Sequence, residues 1–149
     1  GRKKRLHRQA GEALEQLQRE RLDEYFPILA EHFSICEDYE KAIEYLHLVK
    51  RAAERRASFL EAIAYAEKRI ACLEKLPQTE DLQKQLINAR TNLGGINLQT
   101  NYFTPMKEAI DPIIDLALKL HYKRGIGAIY TLLGAYCWSI AEDYPKALS

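Results

Sequence analysis

His32 and Cys36 stand four residues apart, a spacing that puts both on one face of a helix and within reach of a shared metal ion. Two ligands do not make a zinc site, and no third is indicated. Both therefore read as packing residues. His7, His47 and His121 lack any Glu-x-x-His or His-x-x-x-His context. Ser34 and Ser139 fall in helical patterns, away from any strand-turn nucleophile elbow. Gly94-Gly95 is no phosphate loop, because Lys and Ser/Thr do not follow at the required spacing. Carboxylates are abundant but scattered beside Lys and Arg. Neither catalysis nor a metal or cofactor is expected, and a surface becomes the better candidate for function.

The elements that carry these residues are helical almost throughout. Leu6, Ala10, Ala13, Leu14 and Leu17 mark a first amphipathic helix, followed by a polar break at 18–22 and Asp23 as a cap. Further helices are expected over 23–36, 39–56, 58–76, 80–100, 105–121 and 124–141, with another beginning near Tyr144. Asp38 and Thr104 are candidate N-caps, and Pro27 and Pro105 sit in or near first turns, where a missing N–H costs little. Pro112 should kink the helix that contains it. Gly94 and Gly95 make sense in a helix if another helix packs very close. Ile126, Ile129, Leu132, Leu133, Tyr136 and Trp138 surround much of the 124–141 helix, which should be buried on both sides or drive self-association. The fold class is all-α: about seven short helices, antiparallel by loop length, the last one truncated.

Composition excludes several classes. The 149 residues are 47% apolar and 29% charged, with formal net charge +1. A near-neutral chain argues against dedicated nucleic-acid binding, and no apolar run approaches the ~18 residues of a membrane span. Arg2-Lys3-Lys4-Arg5-Leu6-His7-Arg8 holds five basic residues; the remainder has 17 basic against 21 acidic. That run is either an arm for an acidic surface or a solvated stub, the second being commoner. Cys36, Cys72 and Cys137 are far apart, odd in number and without CxxC spacing, as expected of buried free thiols in a reducing cytoplasm. The chain opens on Gly1 and stops just past Tyr144-Pro145, so it reads as a piece of a longer protein.

An internal repeat is visible without gaps. Tyr25 to Ile43 (YFPILAEHFSICEDYEKAI) matches Tyr130 to Leu148 (YTLLGAYCWSIAEDYPKAL), with eight of nineteen positions identical. Phe26-x2-Leu29-Ala30-x2-Phe33 followed by Ala42-x3-Leu46, then Leu93-Gly94, then Thr131-x2-Gly134-Ala135-x2-Trp138 followed by Ala147, resemble the tetratricopeptide repeat. The register is irregular, because three helices lie between the two matching blocks. Either the helix over 39–56 serves two repeats, or one helix is misplaced. The stretches Leu6–Glu15, Leu22–Glu24, Leu29–Phe33, Asp38–Leu46 and Arg55–Leu76 are also similar to the region that follows the ATPase module in bacterial signalling proteins joining a nucleotide cyclase or kinase to tetratricopeptide repeats. This resemblance implies residues 1–22 as a basic helix or linker from an upstream domain, 23–149 as a helical-repeat domain, and any catalytic part outside this chain.

The resemblance further implies a solenoid whose groove binds a protein or peptide. It places groove positions at Glu44, His47 and Arg51, at Asn88, Thr91 and Asn92, and at Ile129, Leu132 and Tyr136. The Asn side chains suit an extended peptide backbone; equally, exposed polar residues need no special role. The expected function is a cytoplasmic protein-interaction scaffold that senses partners or relays to neighbouring domains of the same chain. A purely structural or dimerising helical segment is the alternative.

Overall fold

The protein, seen in a computed structural model, is described over residues 1–17 and 22–148. The eight α-helices there are α1 (Arg2–Leu17), α2 (Leu22–Ile35), α3 (Tyr39–Arg55), α4 (Phe59–Lys75), α5 (Glu80–Gln99), α6 (Phe103–Ile110), α7 (Ile114–Lys119) and α8 (Lys123–Leu148). A 3-10 turn over Asp111–Ile113 joins α6 to α7 at Pro112, the expected kink. No strand occurs among the described residues, and the fold is all-α. The polar break at 18–22 and the Asp23 cap lie outside the described residues and side chains.

The chain forms two compact units, Gly1–Pro77 and Gln78–Ser149. The first holds α1 to α4. Its core is Leu29 and Phe33 of α2, Ala42, Leu46, Val49 and Ala53 of α3, and Ala62, Ala66, Ile70 and Leu73 of α4. Small residues at four of these positions let the helices approach closely. The second unit holds α5 to α8, around Ile87, Ile113, Ala117 and Ile129 and around Met106, Ile110 and Leu132. Gly94 serves the close approach expected of it: a Cβ there would lie 2.8 Å from Leu132 Cδ1 and 3.2 Å from Ile110 Cγ2.

Four helix junctions share one geometry. Glu37, Ala57, Asn101 and His121 have φ of 60°, 57°, 60° and 49°. Each donates its N–H to the carbonyl three residues back (Ser34, Glu54, Leu98, Leu118), and the next residue donates to the carbonyl five back (Phe33, Ala53, Asn97, Ala117). These left-handed closures satisfy the last helical carbonyls without glycine. The turns are spaced so that α5 to α8 repeat boundaries of α2 to α4 at an offset of 64 residues, with no counterpart of α1. The α3 range 39–55 becomes 103–119, α2 and α5 end at 35 and 99, and α4 and α8 start at 59 and 123.

Helix α1, in the stretch that the resemblance implies as a basic helix or linker from an upstream domain, packs into the first unit. A Cβ on Gly11 would come within 2.8 Å of the Phe33 ring, so the glycine admits that ring. Glu15 accepts from Lys41 Nζ at 2.9 Å and from the Tyr45 hydroxyl at 2.5 Å. Two of the N-terminal basic residues reach the α2–α3 turn, Lys4 to Glu37 at 2.6 Å and Arg8 to Asp38 at 3.0 Å.

The structure corrects several expectations. Tyr25–Ile43 is helix-turn-helix, but its sequence counterpart at 130–148 is one uninterrupted helix, and no new helix begins at Tyr144. In the first copy the turn is held by Asp38, which caps Lys41 N, and by the ion pairs from α1. In the second, Glu142 instead accepts from the Trp138 indole one turn back, along the same helix. Trp138 is 69% exposed, not buried, and Cys137 is exposed, because α8 turns Gly125, Ile129 and Leu132 inward. Helix α6 starts at Phe103 behind Tyr102, so Thr104 lies in its first turn and does not cap it. Pro27 sits inside α2.

Candidate partner-binding surfaces

On the first unit, Glu44, His47 and Arg51 lie on α3; Glu44 and Arg51 are exposed and His47 half-buried. His47, Lys50, Arg51 and Glu54 follow i, i+3, i+4, i+7 spacing and form one stripe. The Lys50 side chain is buried and reaches Glu54 at 3.1 Å. The His47 Nδ1 and Arg69 Nε atoms are buried without a hydrogen-bond partner. Burial first, then the nearby Arg69, Lys50 and Arg51 cations, pull the His47 pKa below its usual 6.5. Burial likewise lowers that of Arg69. A neutral imidazole beside cations resists protonation, and its unpaired ring nitrogen is suited to a hydrogen bond.

The second-unit residues are mostly spent on internal structure. Asn88 Oδ1 accepts from the Tyr122 hydroxyl at 3.0 Å, and the Asn88 carbonyl accepts from the Thr91 hydroxyl at 3.0 Å. Thr91 is buried and Asn92 exposed. Ile129 and Leu132 are core residues. Tyr136 is half-buried, with the Lys107 ammonium 5.9 Å from its ring centre. The Asn88 Oδ1 and carbonyl and the Thr91 hydroxyl thus hold α5 to the start of α8 and close the α5 backbone.

A concavity that the sequence did not reveal lies in the first unit. About 540 Å³ in volume, it is walled by Pro27, Ile28, Glu31 and Ile35 of α2 and by Tyr65, Lys68, Ala71 and Cys72 of α4, with Ala30, Ser34 and Leu46 also lining it. That volume lies within the ordinary range of ligand sites. The Ser34 hydroxyl donates to the Ala30 carbonyl at 2.7 Å, so its polarity is satisfied along the helix. Burial pushes the Cys72 thiol up, which keeps it protonated and unreactive at neutral pH. None of Glu44, His47 or Arg51 lines this groove.

The His32–Cys36 pair is divided between two contacts. His32 Nδ1 lies 2.7 Å from His7 Nδ1 of α1, while the buried Cys36 thiol donates to the Phe33 carbonyl. The His7 contact joins residues 25 apart and had no local sequence signal. Among the described residues, no three His, Cys, Asp or Glu side chains gather as metal ligands would. No helix of the described residues is long and apolar enough to cross a membrane. No family model matches the chain, and no curated protein or solved structure matches it.

Proposed function

We propose that the chain is a protein-interaction scaffold of tetratricopeptide type, a partner-sensing or regulatory segment of a larger cytoplasmic signalling protein, and not itself an enzyme. The observation that carries this reading is the coincidence of the motif with the 64-residue structural repeat. Leu29-Ala30 and Leu93-Gly94 occupy equivalent places, and so do Ala42-x3-Leu46 and Met106-x3-Ile110. All eight of these residues are buried. Large residues beside small ones at helix crossings are what a stack of helix hairpins needs. The groove between α2 and α4 then supplies a place for a partner.

The test is selection from a displayed random-peptide library on the purified chain. Selected peptides should bind it and lose at least about tenfold in affinity to Ala71→Arg, at an exposed groove wall. If no peptide is selected, or every selected peptide ignores that change, the scaffold reading fails. A dimerising role is favoured by a different observation: Tyr130, Trp138 and Ile140 of α8 are 60%, 69% and 49% exposed. Sedimentation at high concentration tests it, since a strict monomer would leave those side chains without a role in association.

A further inference from the structure

The two units place their last helices, α4 and α8, differently on the same scaffold. In the second unit, Leu132 and Tyr136, four apart on α8, pack with Met106 and Ile110 and with Leu98 of α5. The Leu132 methyl sits against Gly94. The equivalent first-unit residues, 64 positions earlier, are Lys68 for Leu132, Cys72 for Tyr136 and Ser34 for Leu98. Each is smaller or more polar. The floor stays apolar, with Leu46 for Ile110, Ala30 for Gly94 and the smaller Ala42 for Met106. Helix α4 also buries another face, through Ala62, Ala66, Ile70 and Leu73, where α8 buries Gly125, Ile129 and Leu132. The first unit thus keeps the apolar floor and lacks the two side chains that fill its counterpart. The groove of about 540 Å³ is the space left.

We propose that this groove takes an amphipathic helix of a partner protein, seated through a leucine and an aromatic residue four positions apart. The proposal rests on the scaffold reading and specifies its partner. Side chains at i and i+4 lie on one face of a helix, and this protein fills the equivalent space from a helix with that spacing. Charge sets the orientation: Lys68 on the α4 wall calls for a carboxylate beside the leucine, and Glu31 on the α2 wall for a Lys or Arg on the opposite flank.

Fluorescence anisotropy with a stapled alanine-based helix of about 16 residues tests this. The helix carries Leu and Tyr four apart with a flanking Glu, and its control has Ala at both anchors. The anchored helix should bind the full chain at least about tenfold tighter than the control. The double variant Lys68→Leu with Cys72→Tyr, which gives the groove the side chains of the second unit, should lose that preference. Should this variant fail to fold, Ile28→Arg on the exposed rim replaces it, with the same loss expected. Equal binding of both helices, or unchanged binding by the folded variants, overturns the proposal. Library peptides that bind at Ala71 but lack the Leu-x3-aromatic seam also overturn it and leave the scaffold reading intact; absence of any bound peptide removes both. Displacement of the stapled helix by a second copy of this chain through Tyr130 and Trp138 would replace the partner helix with self-assembly.

Discussion

At the scale of single residues, burial decides what each polar group is able to do. His47 is held neutral by its surroundings, with Arg69, Lys50, Arg51 and Glu54 as its charged neighbours. Its folded pKa is below 6.5, so as pH falls past that value the unfolded chain takes up the proton first. Folding stability should therefore drop between neutral pH and pH values below 6.5. His47→Gln should flatten that drop, as denaturant unfolding at a series of pH values will show; parallel curves for the two proteins would contradict the assignment. Ala42 is fully buried in α3. Overpacking a close helix contact costs typically about 1–3 kcal/mol, so Ala42→Leu should lower the denaturation midpoint clearly. The second unit holds Met106 at the equivalent place, so an unaffected Ala42→Leu would mean that the first-unit crossing is as wide.

At the scale of elements, the left-handed turns carry the repeat. Three of the four use residues other than Gly or Asn at φ near 50–60°: Glu37, Ala57 and His121. A side chain in that conformation costs roughly 1 kcal/mol, which glycine avoids. Ala57→Gly should accordingly stabilise the chain, by roughly 0.5 kcal/mol after glycine's greater unfolded-state freedom is counted. A lowered melting temperature would show that the turn is set by packing of the alanine methyl. Without glycine, these turns show in the sequence only as short breaks. Helix positions, the Asp38 cap, the Pro112 kink and the Gly94 approach were legible, because each depends on local residue chemistry. The 64-residue repeat was not, since few equivalent pairs are identical, among them Leu29/Leu93, Ala53/Ala117 and Ala71/Ala135. The stronger identity, between Tyr25–Ile43 and Tyr130–Leu148, misled: Glu142 and Asp143 match Glu37 and Asp38, yet α8 runs through them. A turn of this kind forms where packing partners hold it, as α1 and α3 do at Asp38.

At the scale of the whole molecule, one scaffold is used twice with different outcomes. The second unit is filled by its own α8, and the first is left with a groove where α4 presents Lys68 and Cys72. That site was invisible in sequence because it is defined by side chains too small or too polar to fill a space, and no motif marks an omission. The groove residues named from the resemblance, Glu44, His47 and Arg51, lie elsewhere on the first unit. Where a partner binds is therefore the central question. A two-dimensional amide NMR titration of the labelled chain with a library-selected peptide answers it most directly. The account predicts that shifts concentrate at Ile28, Ala30, Ser34, Tyr65, Lys68 and Cys72 and leave the second unit unmoved. Shifts confined to the second unit, or centred on Glu44, His47 and Arg51 with the groove silent, would contradict it.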